Sequence, residues 1–141
     1  MLASRPMTAQ EVQRTATCSC GALRLVTTGE PVRVGVCHCL ACQRRSGSAF
    51  AYQARFSREA VSTTGEAREY VRMSDEGERR VFFFCPDCGV TLWYGCDSEP
   101  DVIAVPVGTF ADPQFPPPMR STWEERRHAW VVLPDDVEHI W

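Results

Sequence analysis

The sequence predicts an all-β (mainly β) fold. Three observations carry that expectation. Runs of five to eight residues are rich in β-branched and aromatic side chains, apolar and polar residues alternate within several of them, and Gly, Pro, Ser or Asp bounds them. Residues 22–27 alternate, residues 32–36 repeat the pattern, and Gly29-Glu30-Pro31 supplies the turn between them. Residues 40–47 break the β pattern, because the Cys-Gln-Arg-Arg-Ser run predicts a helical turn that Gly47 ends. Strands are expected again at 49–56, 69–73, 79–84, 90–94 and 102–107. The adjacent Phe82, Phe83 and Phe84 predict a strand covered on both faces, a core feature.

Residues 112–118, Asp-Pro-Gln-Phe-Pro-Pro-Pro, suit neither helix nor ladder and read as a stiff extended connection. Beyond it Trp123, Trp130 and Trp141 predict a C-terminal arm packed back on the domain. Residues 1–14 read as a tail, leaving 15–141 as a single domain.

A chain of 141 residues buries about two-thirds of its unfolded surface, so its core can stand without disulfides. With 44% hydrophobic and 23% charged residues, it is neither disordered nor fibrous. A formal charge of −3 argues against a nucleic-acid binder that works by neutralising phosphates, and thiolate-bound metals would make the chain more acidic still. The sequence has no apolar run long enough to cross a membrane, and residues 1–14 lack the apolar stretch of a secretory signal, so none is expected. The expected location is therefore cytoplasmic, where thiols stay reduced. Self-association is left open.

Seven of the eight cysteines fall in three clusters: Cys18-Ser-Cys20-Gly, Cys37-His-Cys39-Leu-Ala-Cys42 and Cys85-Pro-Asp-Cys88-Gly. Residues i and i+2 of extended chain face the same side, and a CxxC turn does the same around a bend, so each pair can present two sulfurs to one ion. Gly21 and Gly89 supply the positive φ such turns need. If the CxC pair joins the last CxxC, then Cys18, Cys20, Cys85 and Cys88 close a structural zinc site. Cys37, Cys39 and Cys42 then remain as a three-thiolate set with an open position, the pattern of a catalytic zinc. The alternative is that Cys96 closes this second site and makes it structural too. His38 lies between two of these cysteines and so points away from their sulfurs, toward a supporting or solvent-facing role. His128 and His139 read as ordinary surface histidines.

The order CxCG, CHCxxCQRRSGS, FFCPDCG and GTF-Ala-Asp-Pro resembles the glutathione-dependent formaldehyde-activating enzyme family, also called the centromere protein V family, over residues 17–136. The resemblance implies a β-tent zinc-binding fold similar to methionine-R-sulfoxide reductases. It implies a structural zinc on Cys18, Cys20, Cys85 and Cys88 and a catalytic zinc on Cys37, Cys39 and Cys42. The implied reaction is condensation of glutathione with formaldehyde to S-hydroxymethylglutathione, classed in reverse as a carbon-sulfur lyase. The sequence departs from the pattern where Ser121-Thr122 replaces a common His-Ile pair.

The expected partners are thus a small thiol such as glutathione and a small aldehyde, with no nucleic acid and no membrane. Arg44 and Arg45, just after Cys42, are candidates for the carboxylates of the thiol, set against an equal expectation that they form a solvated face. Two other functions compete. In one, both zincs are staples of a binding module with a protein partner. The other, a sulfoxide-type reductase, needs a free nucleophilic cysteine, for which only Cys96 is spare.

Overall fold

The computed structural model describes residues 12–140, which form two β-sheets and one short helix. The smaller sheet has three strands in the order β1 (Gln13–Thr17), β2 (Arg24–Thr28) and β5 (Val61–Thr64), all antiparallel. Eight strands make the larger one. Its order is β11 (Glu138–Ile140), β10 (Arg120–Thr122), β3 (Arg33–Cys37), β4 (Ala51–Ser57), β9 (Val102–Pro106), β8 (Thr91–Cys96), β7 (Arg79–Phe84) and β6 (Arg68–Met73). Only β10 pairs in parallel, with β3 on one side and β11 on the other.

The period of two assigns each face of the large sheet a task. Val34 on β3, Ala54 and Phe56 on β4, and Ile103 and Val105 on β9 pack with Leu23 and Leu25 of the small sheet into one core. Phe110 stacks on Phe115 at 5.0 Å between ring centroids, so the proline-rich connection is pinned by the aromatic residue in its middle. Residues on the opposite face, Arg33, Gly35, Gln53, Arg55, Phe82 and Tyr94, are turned away from that core and line a cavity. Helix α1 (Leu40–Ser46) covers part of this face.

The strands expected from 22 to 36 and from 49 to 107 are present within about two residues of their predicted ends. Two sequence readings are corrected. The aromatic run is only partly covered, for Phe82 is buried while Phe83 and Phe84 are half-exposed. Phe83 instead stacks on Trp93 of the neighbouring strand at 4.9 Å. The C-terminal arm does pack back, but not through its tryptophans. Trp123 and Trp130 are exposed, and the arm is held by the β10 and β11 ladders and by buried Ser121, Val131 and Val137. Trp141 lies outside the described residues. So does most of the expected tail, whose last residues, Gln13 and Arg14, belong to β1.

Candidate metal centres and the adjoining cavity

The first centre sits where β1 and β7 end. Cys18 follows β1 and Cys85 follows β7, and each chain then turns back through a glycine, Gly21 at φ 81° and Gly89 at φ 82°. Both turns are closed by the same backbone pattern: Cys18 N–H donates to Leu23 and Cys85 N–H to Val90, at 3.1 and 3.0 Å. The sulfurs of Cys18, Cys20, Cys85 and Cys88 thereby lie within 4.8 Å of one another. Cys18 and Cys20 are 3.7 Å apart and Cys20 and Cys85 3.6 Å. A tetrahedron of thiolates at ordinary zinc–sulfur distances has edges of about 3.8 Å. Four soft donors at that spacing fit a closed zinc site.

Backbone amides prepare these sulfurs to carry charge. Leu23 N–H donates to Cys18 Sγ at 3.3 Å and Asp87 N–H to Cys85 Sγ at 3.4 Å. The amides of Val90 and Cys20 bring the Cys88 thiol down to about 6. Burial raises Cys18, but the Leu23 amide and the Cys20 contact outweigh it and leave it lowered.

The second centre sits at the end of β3. Cys37 is the last residue of that strand, Cys39 caps α1, and Cys42 lies in its first turn. Cys39 Sγ accepts the Cys42 amide at 3.3 Å, so a sulfur does the work of an N-cap oxygen. Gly47, at φ 65°, ends the helix as the sequence predicts. The three sulfurs lie within 4.8 Å of one another. Their crowding divides the protons unequally. Hydrogen bonds from Cys37 and Cys42 hold Cys39 far below the usual thiol range, while the same contacts push Cys42 far above it. Three soft donors at this spacing suit a thiophilic metal, which binds them as thiolates. Cys96 joins neither group and lies near Ser98.

His38, one residue past β3, joins neither sulfur group and is fully buried rather than solvent-facing. Its Nε2 is 2.9 Å from Ser121 Oγ, the residue at which the sequence departs from the family pattern. His128 bonds Gln43 and His139 bonds the buried Glu124, so among the described residues neither joins a sulfur cluster.

An open cavity of about 430 Å³ adjoins the second centre, which contributes all three of its cysteines to the lining. Seven arginines line it, in a chain whose net charge is −3. Arg33 and Arg55 share Glu99, Arg80 pairs with Glu78 and Arg120 with Glu138. Arg44, Arg72 and Arg126 have no ion pair among the described residues. The two candidates from sequence thus part company: Arg44 faces the cavity, whereas Arg45 lies over the ring of Tyr94 at 4.7 Å and stiffens the wall. Sequence reasoning missed Tyr94, Gln53 and the strand arginines. Only the alternation of Arg33, Gly35 and Cys37 hinted that charge and thiol share a face. Tyr94 is buried, and burial pushes its hydroxyl up to about 12.

Fold and sites define a class: a two-sheet β protein with one closed and one open cysteine centre, the open one beside a basic cavity. The glutathione-dependent formaldehyde-activating enzyme family matches residues 13–131, and the chain belongs to that family. A solved crystal structure of a Rhodobacter sphaeroides protein is similar in fold at 22% identity, covering 67% of this chain and 85% of that one with a TM-score of 0.53. No curated protein matches the chain.

Proposed function

We propose that the chain is a carbon–sulfur lyase that, in the synthetic direction, condenses glutathione or a similar thiol with formaldehyde to an S-hydroxymethyl thiol. One contrast carries this reading: Cys37, Cys39 and Cys42 line the basic cavity and gain no fourth sulfur among the described residues, whereas the other four cysteines complete a set. Cys18, Cys20, Cys85 and Cys88 would hold a structural zinc and Cys37, Cys39 and Cys42 a catalytic one, two ions per chain. A zinc held by three thiolates supplies an open position at which a thiol loses its proton.

The remaining work falls to the chain's own residues. As sulfur bonds the aldehyde carbon, the carbonyl π pair moves to oxygen, and that oxygen must gain a proton. In this reading Tyr94 hydrogen-bonds that oxygen, and the proton the thiol gave up ends on it. Support for Tyr94 is that the side chain lines the cavity together with Cys37, Cys39 and Cys42, where its hydroxyl can act as a donor. Arg44, Arg72 and Arg126 give the cavity the field that draws an anionic thiol.

A second reading, a zinc-stapled binding module with a protein partner, is favoured by the edge strand β6, which exposes Tyr70, Val71 and Met73. Exchange NMR of ¹³C-formaldehyde with glutathione separates the two. Faster exchange with the zinc-loaded protein, lost in Cys39→Ser, is the expected result; exchange equal to the uncatalysed rate would leave the binding module.

A further inference from the structure

Trp123 sits in a backbone conformation that bulky residues seldom adopt. Its φ of 58° and ψ of 44° lie in the left-handed region, which glycine fills without penalty and a large side chain does not. Hydrogen bonds on either side hold it there. The Thr122 carbonyl accepts the His38 N–H at 3.0 Å, and the Trp123 carbonyl accepts the Arg126 N–H at 3.1 Å. The indole does not offset the strain by joining the core, for it is 39% exposed and belongs to neither core cluster. Strain that the surrounding structure over-determines in this way collects at binding sites.

Strand register shows where the indole is sent. Thr122 stands beside Cys37 in the β10–β3 ladder, so Trp123 is the first residue beyond the strand pair that ends at the open centre. Leu40 opens α1 directly after Cys39 and is 43% exposed. Both side chains line the cavity. Exposed apolar residues scattered singly are ordinary, but here two large ones flank the ligand segment in a cavity otherwise rich in arginine. Arg33 and Arg55, by contrast, stand four residues back along the β3–β4 ladder, about 13 Å from the level of Cys37.

We propose that Trp123 and Leu40 form an apolar shelf for the hydrocarbon group of an aldehyde, which extends the electrophile beyond formaldehyde to aldehydes with an apolar substituent. The proposal rests on the reading that the open centre handles a thiol, and deepens it. In the added reaction sulfur bonds the aldehyde carbon, the carbonyl π pair moves to oxygen, and the proton the thiol gave up ends on that oxygen. Nothing leaves and no further reactant is consumed. The substituent stays on the carbon bonded to sulfur, so with sulfur at the three cysteines it lies beside the residues that follow Cys39 and Thr122. Formaldehyde has no such group and leaves the indole in water, whereas an alkyl chain covers it.

S-hexylglutathione is the hexanal adduct without its hydroxyl, and S-methylglutathione stands in the same way for the formaldehyde adduct. In calorimetric titration of the metal-loaded protein the hexyl compound should bind roughly tenfold more tightly than the methyl one, because part of its chain is removed from water. Trp123→Gly, which suits the backbone angle, should cut that advantage to about twofold, and Trp123→Phe should keep most of it. In exchange NMR the acceleration for hexanal, taken relative to that for formaldehyde, should fall roughly tenfold in Trp123→Gly. Metal content and thermal unfolding identify a misfolded variant, in which case Leu40→Ser takes its place. Equal affinities of the two compounds for the wild-type protein, or an advantage that is the same in every variant, overturns the shelf. The expected affinities without catalysed exchange of either aldehyde would sink the lyase reading and leave the shelf standing. Catalysed formaldehyde exchange with no advantage for the hexyl compound would do the reverse.

Discussion

The two cysteine centres are made of the same chemistry and differ in what surrounds them. Cys18, Cys20, Cys85 and Cys88 come from two segments far apart in sequence, cross-linking the end of β1 to the β7–β8 turn. Cys37, Cys39 and Cys42 come from a single segment of six residues, join no distant parts of the chain, and face a cavity. A metal that ties distant segments contributes its binding free energy to folding. One held by neighbours in sequence contributes little to folding and is free to serve chemistry. The difference teaches that two clusters of the same ligand type differ in connectivity, one tying distant segments and one lining a cavity, which is the contrast the proposed roles rest on.

The largest expected effect breaks the staple. Cys85→Ser removes a fully buried ligand of the closed centre, and the cooperative thermal transition should be lost or fall by tens of degrees. Cys39→Ser should lower the metal content by one ion while leaving the transition in place. Equal damage from both would erase the comparison. Graded chelation sharpens it further. The open centre should empty first, with activity lost while the far-ultraviolet circular dichroism is unchanged.

Tyr94→Phe tests the cavity without touching either centre. Turnover should fall about 100-fold with both metals retained. Burial raises the Tyr94 hydroxyl to about 12, so the stability tied to it is fully present below the ordinary tyrosine range near 10 and is lost as pH rises toward 12. Denaturant titrations across pH 9 to 12 should therefore show a steeper alkaline loss in the wild-type protein than in Tyr94→Phe. The smallest effect concerns support behind the open centre. Ser121→Ala takes the partner from the buried His38 Nε2, whose Nδ1 has no partner among the described residues, and should cost about 1–3 kcal/mol in chemical denaturation without changing the metal content.

Local signals were legible and long-range ones were not. The CxC and CxxC spacings, the Gly47 helix stop and the alternating strands could each be read because a few adjacent residues specify them. The strands β1, β5, β10 and β11 escaped, since segments of three to five residues carry little periodicity, and most of their side chains are exposed or half-buried. The tryptophans of the arm misled because an aromatic residue signals burial only on average, and here small and β-branched residues do the packing.

What the sequence by itself determined is the inventory of candidate ligands and the β class, because cysteine pairs and strand periodicity are written at spacings of two and three residues. Tertiary structure alone decided between the alternatives for Cys96, which joins neither group, and placed seven arginines, Tyr94 and a Gln53 whose Oε1 has no donor among the described residues around the open centre. Those residues are brought together by strand order and register across the large sheet. Register is set by the packing of its other face against the core, so no stretch of sequence near Gln53 or Tyr94 records what stands opposite them.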